Sequence, residues 1–157
     1  MLPATPRIFV DADACPVKEE VYRVAARFGL KVFVVANIPL TVPEDPRIER
    51  VRVEAGFNGA DDWIADNVVP GDVVVTADIP LADRCLKSGA AAIPPTGHAF
   101  TEDSIGGAVA MRSIMEQLRA SGIQAGGPKP FDRADRSRFL QALDAAIHRS
   151  LRRTPGR

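Results

Sequence analysis

Histidine and cysteine are scarce here, with two of each in 157 residues, and neither sign of charge prevails, with 20 Lys/Arg against 20 Asp/Glu. Two histidines exclude a His-rich zinc centre. Cys15 and Cys85 stand too far apart for a metal-type spacing. The phosphatase signature of Cys, five residues, then Arg fails, because position 21 is Val21. A neutral chain suggests no partner by overall charge. No apolar run approaches the length of a membrane span. With no signal peptide expected, the reading is a cytoplasmic protein with reduced thiols. There is no P-loop, no G-x-G-x-x-G and no G-x-S-x-G. Nucleotide cofactors and a Ser-His-acid triad are therefore not indicated.

What the chain does have is Ile8-Phe9-Val10-Asp11-Ala12-Asp13-Ala14-Cys15-Pro16-Val17-Lys18. A short apolar run ends in two aspartates one residue apart, and a helical pattern follows. Asp11 and Asp13 fall where a strand gives way to a helix. In open α/β sheets, ligands bind in the crevice outside the carboxyl ends of the strands. Two carboxylates held there repel each other, and a hard divalent cation with its preference for oxygen would offset that. The competing reading is that they cap the next helix. One Asp suffices for that, and Cys15 is nearer the cap position if Pro16 is the first helical residue. A thiol at a helix N-terminus has a lowered pKa, so Cys15 is a minor candidate nucleophile. Cys85 reads as core.

Apolar spacing predicts strands at 7–10, 31–36, 48–53, 72–76 and 90–93, with the third a half-exposed edge strand. Helices are expected at 16–28, 60–69, 79–88, 101–121 and 132–152. Residues 38–46 read as a loop, 56–59 and 94–97 as turns, and 122–131 as a Gly/Pro-rich connection. On the long fourth helix, Ile105, Ala108, Val109, Ile114, Met115 and Leu118 form the apolar stripe. On the last, Phe139, Leu140, Leu143, Ile147 and Leu151 should face in. Strands alternating with helices imply an α/β fold with a mainly parallel sheet of about five strands and helices on both faces. Residues 1–157 read as one domain, with 152–157 a flexible basic tail.

If the first strand is central, Asp11, Asp13, Asn37, Thr76 and Asp78 converge at the strand ends. Asp61 and Asp62 open the helix after the third strand and approach from one side. Asp62 is the favoured site acid of the two, although Asp61 can also be a first-turn acid behind an Asn58 cap. Asp78 can also cap the helix from Ile79, and Asp83 is a lesser candidate. Oxygen ligands select Mg2+ or Mn2+, which can orient water and stabilise charge in phosphodiester hydrolysis. From Gly126 onward there are eight Lys/Arg against three Asp, a net of +5. Lys129, Arg133 and Arg136 there, with Arg112 and Arg119 on the preceding helix, could meet phosphates. The alternative is a stiff connector and a solvated helix face.

Four ordered motifs then carry a resemblance that covers nearly the whole chain: FVDADACPVK, VVTADIPLA, LRASGIQAGGPKPF and DRSRFLQALD. Together they resemble the YaiI/YqxD family of small bacterial proteins, whose fold is thought to be similar to PIN-like domains. The better-known PIN-like members are metal-dependent ribonucleases. The resemblance implies Asp11 as the acid of the first strand, Asp61 or Asp62 as the acid of the helix after the third, and Asp78 as the acid of Thr76-Ala77-Asp78-Ile79-Pro80-Leu81. Asp13 and Cys15 belong to the YaiI/YqxD pattern rather than to PIN domains generally. Family members usually carry Pro-Arg-Gly where this chain has Pro95-Thr96-Gly97, and Asn where it has Ser104. The expectation is a Mg2+- or Mn2+-dependent phosphodiesterase acting on RNA. Its metal ligands are Asp11, Asp62 and Asp78, with Asp13 assisting in catalysis. Asn37, Lys129, Arg136 and Arg112 are expected to bind substrate. The alternatives are a haloacid-dehalogenase-like phosphatase with an aspartyl nucleophile, and a non-catalytic RNA-binding or regulatory domain.

Overall fold

The computed structural model describes residues 5–13, 15–54, 59–120 and 130–152. Five strands form one parallel sheet in the order β3-β2-β1-β4-β5. They are β1 (Ile8–Asp11), β2 (Val32–Ala36), β3 (Ile48–Arg52), β4 (Val73–Val75) and β5 (Ala91–Ile93). The helices are α1 (Lys18–Phe28), α2 (Gly59–Asn67), α3 (Ile79–Lys87), α4 (Glu102–Ala120) and α5 (Arg133–Arg152). β1 therefore lies between β2 and β4, as its unbroken apolar run requires of a strand covered on both faces.

Alternation along each strand divides the core. Val10, Val34 and Val75 meet Val21 and Val24 of α1 and Phe139, Leu143 and Ile147 of α5 on one face. Phe9, Val35 and Val74 meet Ile64 of α2 and Leu81 and Cys85 of α3 on the other. Phe9 and Phe139 are fully buried, each worth about 1.5–3 kcal/mol against exposure. β3 lies at the sheet edge, partly exposed, as its alternating pattern predicts.

Local chemistry sets the helix ends. Gly29 closes α1 in the left-handed region at φ 70°, donating to Ala25 and Ala26 carbonyls. Thr101 and Ser104 cap α4 reciprocally, at 2.9 and 3.1 Å. Asp132 and Asp135 do the same for α5, at 3.0 and 2.9 Å.

The structure corrects three expectations. α1 starts at Lys18 rather than Pro16, because Cys15 N–H donates back to the Ala12 carbonyl and residues 16–17 finish that turn. Ile114 is 50% exposed rather than inward. Among the described side chains of α4, Ile105 in its first turns is buried, packed near Ala82 and Ala92. Leu151 is likewise exposed, in the last turn of α5. Residues 55–58 and 121–129, and the expected tail at 153–157, lie outside the described residues, as do the side chains of Ala108, Val109, Met115 and Leu118.

Candidate active site

Parallel pairing of β1 with β4 places Val10 opposite Val75, so Asp11 and Thr76 emerge side by side at the carboxyl edge. The Thr76 hydroxyl donates to Asp11 Oδ2 at 2.8 Å and accepts from the Asp78 N–H at 2.9 Å. One buried hydroxyl thus ties the two strand ends together. Asp78 Oδ1 accepts from Leu81 N–H at 3.0 Å, so Asp78 does cap α3. Asp13 Oδ2 accepts a long bond of 3.4 Å from Asn37 N–H at the end of β2. Its other oxygen, Oδ1, is buried without a hydrogen-bond partner. Asp11, Asp13, Cys15, Thr76, Asp78 and Pro95 line a cavity of about 220 Å³.

Neither Asp11 nor Asp13 caps α1. Its cap position is Val17, with no side-chain bond. Burial raises the Asp11 pKa, the Thr76 hydroxyl draws it down, and repulsion from Asp78 and Asp13 raises it further. Asp61 belongs to the same acidic group. Burial, repulsion from Asp78 and Asp11 and a hydrogen bond with Asp78 push it up to about 6, against a downward pull from Arg84.

Asp62, the acid favoured from sequence, turns away. It pairs with Arg84 at 2.9 Å and its side chain is 56% exposed. Successive residues on a helix point about 100° apart, so the two acids diverge, and it is Asp61 that α2 turns toward Asp78 and Asp11. Asp83 pairs with Lys87 at 3.0 Å on the exposed face of α3.

Cys15 lines the cavity, but burial raises its thiol pKa, contrary to the lowering that a helix N-terminus would give. Burial pushes Cys85 up to about 12. Neither is an activated thiolate. Asn37 stands beside Asp13 as expected. Arg136 is engaged within the protein. It donates to Glu20 Oε2 at 2.9 Å and to the Pro16 carbonyl at 3.1 Å, and its guanidinium lies over the Phe131 ring. It fastens α5 to the turn that follows the acids. Arg112 sits within α4, but its side chain, like that of Arg119, and the whole of Lys129 lie outside the described residues.

Two residues were missed from sequence. Pro95 closes one side of the cavity; its signal was its place just beyond β5, next to β4. Glu20 is buried, with Oε1 unpartnered. It immediately precedes the buried Val21, a position on the inner side of an amphipathic helix.

The donor set around the cavity is all oxygen apart from one raised thiol, and it includes an orphaned buried acceptor. That chemistry fits a hard cation such as Mg2+ or Mn2+. Among the described residues no three Asp, Glu, His or Cys side chains are already drawn in around one point. No helix among the described residues is long and apolar enough to cross a membrane.

Comparison with known proteins agrees with the motifs. Residues 9–149 match the family model described as "Uncharacterized BCR, YaiI/YqxD family". A UPF0178 protein of Rhodopseudomonas palustris is 57% identical over 153 residues, covering 98% of this chain and 97% of that protein. A UPF0178 protein of Caulobacter vibrioides is 57% identical over 148 residues, covering 94% of this chain and 97% of that protein. One from Bradyrhizobium diazoefficiens is 56% identical over 147 residues, covering 94% and 88%. The conserved length and the family match together place this chain in the YaiI/YqxD family of UPF0178 proteins.

Proposed function

We propose that this chain is a PIN-like, Mg2+- or Mn2+-dependent phosphodiesterase that acts on RNA in the cytoplasm. The observation that carries the reading is the crowding of Asp11, Asp13 and Asp78 around one cavity at the carboxyl edge, with Asp13 Oδ1 buried and unpartnered. Asp11, Asp13 and Asp78 would hold the cation. When bound, it would lower the pKa of water and neutralise charge on the phosphoryl group. Thr76 fixes Asp11 by one oxygen and leaves the other free to face the cavity. Asp61 replaces Asp62 in this scheme. With its pKa pushed up to about 6, it can hold or release a proton near neutral pH and so serve the leaving oxygen.

The phosphatase reading keeps one observation in its favour. Thr76 engages Asp11 through a single oxygen, which suits an aspartyl nucleophile with Asp13 as acid/base partner. The test is to incubate 5′-labelled single-stranded RNA with the wild type and with Asp11→Asn, in Mn2+ and in EDTA. Cleavage by the wild type in Mn2+ alone, lost in the variant, is the expected result. Turnover of p-nitrophenyl phosphate with a phosphoryl group trapped on Asp11 establishes the phosphatase instead. RNA binding without either activity leaves a binding domain.

A further inference from the structure

The acid cavity, at about 220 Å³, is smaller than the 300–1,000 Å³ of ordinary ligand sites. A second cavity of about 480 Å³ opens beside it, lined by Asn37, Arg52, Val53 and Glu54. Asn37 joins the two, because its N–H bonds Asp13 while the residue itself lines the second cavity.

Arg52 ends β3 level with Ala36, the residue before Asn37. It is exposed and makes no hydrogen bond or ion pair among the described residues, not even with Glu54, which shares the cavity. The other arginines near this edge are engaged: Arg50 with the Leu40 carbonyl, Arg84 with Asp62 and Arg136 with Glu20. A guanidinium with no partner among the described residues, beside an acidic cavity, suits a phosphate.

We propose that the Asn37–Arg52 cavity takes a second phosphodiester of the same polynucleotide whose neighbour is cut at the acids. The substrate is then a single strand that runs across the carboxyl edge from β1 to β3. β1 and β3 flank β2, so they lie two strand spacings apart, about 10 Å. A polymer with a phosphate at every residue crosses that span, and a lone phosphomonoester does not. The inference rests on the reading of the acid cavity as a phosphodiesterase centre.

The test is the fluorescence anisotropy of a labelled phosphorothioate octauridylate, chosen to resist cleavage, in Mn2+ at several salt concentrations. Wild type is compared with Arg52→Gln and Arg52→Lys. Arg149→Gln, which alters the opposite edge of the sheet, serves as the control. One lost single-strand phosphate contact lowers the log–log salt slope by about 0.7, which is ~fivefold in affinity at 0.1 M against 1 M salt. Arg52→Gln should show both losses, Arg52→Lys should keep the slope, and Arg149→Gln should match the wild type. Equal affinity and slope in wild type and Arg52→Gln overturn the inference, even if RNA is still cleaved. Failure of the wild type to bind the probe overturns it too. Arg52-dependent binding without cleavage of ordinary RNA supports the strand path and refutes the phosphodiesterase reading alone.

Discussion

Replacing Asp61 by Asn removes one charge from the acidic group and keeps the side-chain shape. A carboxyl with a native pKa above its unfolded value is protonated more readily when folded. Its stabilising contribution is complete below the unfolded value of 3.8 and is lost as pH rises through about 6. The difference of about two pK units is ~3 kcal/mol at face value. Asp61 is only partly buried, so solvent screening reduces this to about 1–1.5 kcal/mol. Its position in the first turn of α2 works the other way, since the helix dipole favours the anion by about 0.3–1 kcal/mol. The net gain for Asp61→Asn at pH 7.5 is about 0.6 kcal/mol, within a span of about 0–1.2, or a Tm higher by about 1–2 °C. At pH 4, where Asp61 is largely protonated in the fold, the two proteins should melt together. Differential scanning calorimetry at both pH values decides it, with Asp62→Asn as a control. The reasoning fails if Asp61→Asn is less stable than the wild type at pH 7.5. That result means the helix dipole, rather than the neighbouring acids, sets its environment.

Three further substitutions test the frame around the site. Gly97→Ala should cost at least about 3 kcal/mol, because Gly97 has φ +87° and an added Cβ collides with the backbone of Arg138 and Phe139. Gly29→Ala, at φ +70° with nothing within 4 Å, should cost only about 1–2 kcal/mol in urea melts. Arg136→Ala strips Glu20 of its partner and should cost about 2 kcal/mol. If the variant instead binds RNA less well with unchanged stability, Arg136 faces substrate after all.

The sheet was legible because its strands are short apolar runs punctuated by Gly, Pro and Asp. Phe9-Val10, Val34-Val35 and Val73-Val74-Val75 leave few choices of position. The position of Asp11 and Asp78 follows from strand ends, so these acids were readable too. Facing directions on helices were harder. Asp61 and Asp62 are indistinguishable by type, and only the rotation of α2 against the sheet selects Asp61. Arg136 looked like a phosphate ligand because sequence shows its charge but not Glu20, which lies 116 positions away and reaches it at 2.9 Å. Ile114 looked buried because periodicity says which residues share a face, not whether that face meets the core at a given turn. The long-range partner sets each of these outcomes, and no local pattern carries that information.

The central claim is that Asp11 and Asp78 are cation ligands. Thermal melts of wild type, Asp11→Asn, Asp78→Asn and Asp62→Asn in EDTA and in Mn2+ test it directly. Asn caps as well as Asp, so Asp78→Asn keeps the end of α3. A ligand at a hundredfold excess over Kd stabilises the native state by about 2.7 kcal/mol, which for this length is roughly 5–10 °C. The account predicts that Mn2+ shift in the wild type and in Asp62→Asn, and its loss in Asp11→Asn and Asp78→Asn. Equal Mn2+ shifts in wild type and Asp11→Asn, or no shift in any of the four, contradict it.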